Sequence, residues 1–170
     1  MKQLFFALSL FCVTNLNAQQ NQFAELCGQS DMVPFLTSLT TVSKADALQI
    51  LKKAGYTIKS QEKFSNVEII ATRCKLSKGD IKEFPGTKII VYDNHGVDYF
   101  TVNWWEIRQA KALYVGDKID GQSDDDNWVH YKKNNVLYTF WNSSVKGYSQ
   151  PDLPADVEFF KLEVRNQNKF

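Results

Sequence analysis

Residue types able to carry acid–base, nucleophilic or metal chemistry are thinly spread along this chain. There are two histidines, His95 and His130, and three cysteines, Cys12, Cys27 and Cys74. A catalytic histidine needs a partner within hydrogen-bond reach, and no motif around either one specifies a partner. His95 falls in Asp93-Asn94-His95-Gly96, a composition suited to a hairpin tip, and His130 falls in a run of strand formers. No Cys-x-x-Cys occurs, and neither histidine shows ligand spacing for a structural metal. Asp117, Asp120, Asp124, Asp125 and Asp126, with Gln122 and Asn127, supply many oxygens. A hard cation takes about six to eight, but the glycine and bidentate glutamate of an EF-hand loop are missing, so this reads as solvated loop. No two carboxylates are marked as the acid–base pair of a glycoside hydrolase. No catalytic residue, metal or cofactor is assigned.

Aromatic residues are the stronger signal, at 14% of the chain. In an extended Val97–Trp105, side chains alternate between faces. Tyr99 and Trp105 then share one face with Val97, Thr101 and Asn103, and Trp104 lies opposite with Asp98, Phe100 and Val102. Extended by Tyr138 and Trp141 from a second hairpin, this face forms a candidate binding surface. Such rings offer apolar area with a polar tip, suited to a protein partner or a sugar. The competing reading of Tyr99, Trp105, Tyr138 and Trp141 is ordinary core packing.

The elements that position these residues read as follows. Residues 19–42 are expected to be helical, with Phe23, Leu26 and Cys27 on one face. Ser30 or Asp31 is placed to cap a short helix carrying Val33, Leu36, Leu39 and Thr40. Ser43 with Asp46 three residues on makes a weak capping box. Ala47, Ile50, Leu51 and Ala54 then recur at helical spacing, and Gly55 ends the helix. Strands are expected at 56–58, 67–74, 88–92, 97–105, 128–131, 136–141 and 158–164. Lys78-Gly79-Asp80 and Phe84-Pro85-Gly86-Thr87 read as turns. Asp93-Asn94-His95-Gly96 and Lys132-Lys133-Asn134-Asn135 read as bulged hairpin loops, with Gly96 and Asn135 left-handed. The two hairpins align at an offset of 39: Tyr92 with Tyr131, Val97 with Val136, Tyr99 with Tyr138 and Asn103 with Asn142. Turn chemistry explains this, and the alternative is an internal duplication. Glu106–Val115 reads as a short helix or irregular return, 116–127 as polar loop, and the tail from Arg165 as frayed.

The N-terminus adds a compartment. Lys2 and the apolar run Leu4–Val13, followed by Ala18 and a Gln-rich stretch, read as a signal peptide over 1–18. The run is shorter than the about 20 residues a membrane span needs. A single α+β domain over 19–170 is expected to follow, periplasmic or extracellular, without a membrane span. Lys and Arg number 20 against 19 Asp and Glu, and loss of Lys2 with the leader leaves a neutral chain. Neutrality gives no electrostatic reason to bind nucleic acid. In an oxidising compartment Cys27 and Cys74 read as one disulfide, with two separate buried thiols as the alternative. Asn142-Ser143-Ser144 is a glycosylation sequon, relevant only in a eukaryotic host.

The stretch from Val42-Ser43-Lys44 through Lys53-Ala54-Gly55-Tyr56-Thr57-Ile58 resembles the opening of small extracytoplasmic modules. These include the peptidoglycan-associated PASTA domains and the BLIP-like and SmpA/OmlA-type modules. The resemblance is an amphipathic helix ending in glycine and an aromatic, then a strand. It implies a helix packed on an antiparallel sheet and carries no ligand residue over. The remainder departs from the PASTA length. The expected fold is α+β, with N-terminal helices on one face of a single antiparallel sheet of about five to seven strands. The expected function is a non-enzymatic binding module for a protein or glycan of the envelope or extracellular space, including an inhibitor or immunity-type protein. The alternatives are a cell-envelope hydrolase with an unrecognised active site and a structural envelope component.

Overall fold

The computed structural model describes residues 31–59, 66–78, 81–114, 116–119, 128–141, 144–146 and 157–169. Helix α1 spans Met32–Leu39, α2 Lys44–Lys53 and α3 Trp104–Leu113. Nine strands accompany them: β1 Thr57–Lys59, β2 Val67–Lys78, β3 Ile81–Tyr92, β4 Gly96–Thr101, β5 Asp117–Ile119, β6 Trp128–Lys133, β7 Val136–Trp141, β8 Val145–Lys146 and β9 Glu158–Asn166. All described pairs are antiparallel, in the order β1-β2-β3-β4-β9-β7-β6-β5, with β8 paired to β9 off that path. The α+β class and the antiparallel sheet agree with the sequence. The strand number exceeds the expected five to seven because β5 and β8 are too short to leave a pattern.

Helix α2 forms where its sequence signals lie. Ser43 Oγ accepts from the Asp46 amide at 3.2 Å and donates to its carboxylate at 2.7 Å. Ala47 and Leu51 are its buried residues, and Gly55 takes the left-handed conformation (φ 81°) that glycine adopts without steric cost. Asp31 stands at the N-cap of α1, but it is left-handed and its side chain makes no capping bond. Short helices are marginal alone, so packing holds this one. Met32, Leu36 and Leu39 bury against the sheet, and each leucine contributes about 2 kcal/mol relative to exposure.

The main core lies between all three helices and one sheet face, formed by residues such as Ile69, Ile89, Val97, Tyr99, Tyr138, Phe140, Leu162 and Val164. A smaller cluster of Phe84, Ile90, Phe100, Val157 and Phe159 lies on the other face.

Three local expectations are corrected. Phe84–Thr87 is not a turn but the middle of β3. Pro85 is tolerated because β4 pairs β3 only from Thr87 to Val91, so Pro85 sits where β3 has a single partner. In the first hairpin the left-handed residue is His95 (φ 57°), not Gly96. Gly96 instead sits in close quarters, since a Cβ there would crowd Asn94 Oδ1 at 3.0 Å and Arg165 Cδ at 3.1 Å. The C-terminal tail is pinned rather than frayed. Asn166 is buried, and the Gln167 amide donates to the Asn135 carbonyl at 2.8 Å.

Both hairpins belong to the one sheet, yet they differ in the way that matters for a repeat. In the second, Lys133 pairs with Val136 around a two-residue turn in which Asn134 and Asn135 are both left-handed. The first carries one more loop residue. A one-residue difference exchanges faces: Tyr131 packs with the helix-side core, whereas Tyr92 lies on the opposite face. The spatial order β3-β4-β9-β7-β6 places the two hairpins on either side of β9.

Candidate functional site

The four candidate aromatics are separated by the fold. Tyr99 is 0% and Tyr138 4% exposed, both in the helix-side core. The Tyr99 hydroxyl donates to Glu106 Oε2 at 3.0 Å, and Tyr138 OH is hydrogen-bonded to Thr37 Oγ1 at 2.9 Å. Burial, reinforced by the Glu106 carboxylate, holds the Tyr99 phenol well above its ordinary pKa. These two residues take the core role. Trp105 and Trp141 do not share their face.

Trp105 lies on α3 rather than on a strand. β4 ends at Thr101, and Asn103 Oδ1 accepts from the Trp105 amide at 3.1 Å, starting a helix at Trp104. Glu106 stands in the first turn and accepts from Thr101 Oγ1 at 2.9 Å as well as from Tyr99. This side-chain lock ties the helix to the end of β4. Ile107 turns inward, while Trp104 and Trp105 turn outward, 42% and 37% exposed. Their rings meet edge to face at 5.3 Å, and the Arg108 guanidinium lies 5.3 Å from each ring centre. Leu113, 82% exposed, continues the apolar character along the helix.

Trp141 lies on the sheet face opposite the helices, within a polar network not foreseen from the sequence. Asp98 on β4 is directly opposite Glu163 on β9, Phe100 opposite Lys161, and Gly96 opposite Arg165. Lys161 Nζ lies 2.9 Å from Asp98 Oδ2 and also bridges to Glu163. Arg165 Nη2 contacts Asp98 and lies 3.3 Å from Glu163 Oε2. Aromatic groups frame these charges. Tyr92 OH donates to Asp98 at 3.1 Å, the Trp141 indole N–H donates to Glu163 Oε1 at 3.1 Å, and Lys161 Nζ sits 5.4 Å from the Phe100 and Trp141 ring centres. On β6, Trp128 is 5.1 Å from Trp141, and His130 Nδ1 is 2.9 Å from Thr139 Oγ1. The available signal was the alternation Phe160-Lys161-Leu162-Glu163-Val164-Arg165, which puts three charges on one strand face.

A cleft of about 870 Å3 opens between α1 and α3, lined by Val33, Pro34, Thr37, Ala110, Tyr114 and Tyr138 among others, with Glu106 and Lys133 at its margin. Glu106 is engaged by two hydroxyls there, and none of the lining residues is a cysteine or histidine. Among the described residues no group of three or more His, Cys, Asp or Glu is placed to hold a metal ion. Cys74 is disulfide-bonded. Cys27, the expected partner, lies outside the described residues, as do Asp120, Asp124–Asp126 and Asn142. No helix among the described residues is long and apolar enough to cross a membrane. Compared with protein-family models, curated proteins and solved structures, the chain matches none.

Proposed function

We propose that this chain is an exported, non-enzymatic binding module that engages a protein partner through the outward face of α3. The observation that carries the reading is the Trp104–Trp105 pair, two exposed indoles in edge-to-face contact with the Arg108 guanidinium over both. Exposed indole area has no folding rationale of its own. Tryptophan and arginine are also the residues that most often carry binding energy at protein interfaces. The helix beneath is fixed by the Asn103 cap and the Glu106 lock, so little freedom is lost on docking. Export rests on the leader over 1–18, and one disulfide between Cys27 and Cys74 belongs to the same reading.

The test uses the protein isolated from its own exported fraction as bait, as wild type and as Trp105→Ala and Arg108→Ala. A single partner held stoichiometrically by the wild type and weakened about 30-fold by Trp105→Ala, the loss expected of a hot-spot side chain, supports the proposal. Retention of that partner by both variants, or capture of none, overturns it. Hydrolysis of cell-wall or polysaccharide substrates by the same preparation favours the hydrolase reading instead.

A further inference from the structure

We draw no further inference here: the strongest candidate, the apolar cleft between α1 and α3 walled by Val33, Pro34, Ala110, Leu113 and Tyr138, carries nothing because nothing in the structure shows what covers it.

Discussion

Asp98 and Glu163 are register partners on β4 and β9, two carboxylates at one cross-strand position. Like charges placed so destabilise a sheet. Here each diagonal neighbour is a cation, with Lys161 on one side and Arg165 on the other, and both bridge the pair. The motif spans only two strands but draws in Tyr92 from β3 and Trp141 from β7.

Lys161→Met should therefore destabilise the protein by about 3 kcal/mol, the loss usual when one partner of a buried ion pair is removed. Of the two described cations that bridge them, the facing carboxylates would then keep Arg165. Urea unfolding checks this as a lowered midpoint at unchanged slope. A change within a few tenths of a kcal/mol would mean that the network is solvated and structurally idle.

Glu106 holds α3 through Tyr99 and Thr101. Glu106→Ala leaves the fully buried Tyr99 hydroxyl without this acceptor and should cost about 1–3 kcal/mol. Glu106→Gln retains an acceptor oxygen and should recover part of the loss. Amide exchange along 104–113 should accelerate in the alanine variant before exchange in the sheet does. Uniform acceleration would argue against a local lock.

Alkali should unfold the protein early. Burial pushes the Tyr56 phenol from 10.0 up to about 12, although Arg73 opposes the shift. Burial also raises Tyr92, Tyr99 and Tyr114. The unfolded chain releases these protons from about pH 10, while the native state keeps them. The unfolded state then binds fewer protons, so stability falls as pH rises from about 10 to 12. Phenolate absorbance should appear largely together with loss of tertiary structure. Full titration of all tyrosines in a folded protein would refute this.

Non-reducing peptide mapping should recover a Cys27–Cys74 peptide, with the isolated chain beginning at Gln19. The loop from Cys27 to Cys74 holds 48 residues, so reduction should cost about 4 kcal/mol on the chain-entropy model. A different partner for Cys74, or a chain isolated with Met1 intact, would count against the pairing or the leader respectively.

The sequence was legible where local chemistry and tertiary packing agree. Ser43, Asp46 and Gly55 mark the bounds of α2, and alternation marks most of the long strands. It misled at Asn103-Trp104-Trp105-Glu106. Aromatic residues favour strands, but asparagine with glutamate three residues later is a capping pattern, and the cap prevailed. That reassignment moved Trp105 off the sheet. The tyrosines were missed for another reason: alternation says which residues share a face, not which face the helices cover. Likewise Phe84-Pro85-Gly86-Thr87 has turn composition, and only the shorter reach of β4 makes room for a proline in β3. The ion network required knowing that β4 lies beside β9, more than sixty positions away in the chain.

That neighbour relation has a kinetic side. β9 is the last of the described strands along the chain and a central one in the sheet, the sole described bridge between the β1–β4 and β5–β7 groups. Until residues 158–166 leave the ribosome, neither half can close its core, and the Tyr99 and Tyr138 strands have nothing between them. Native structure is thus postponed until β9 is available to join the two groups.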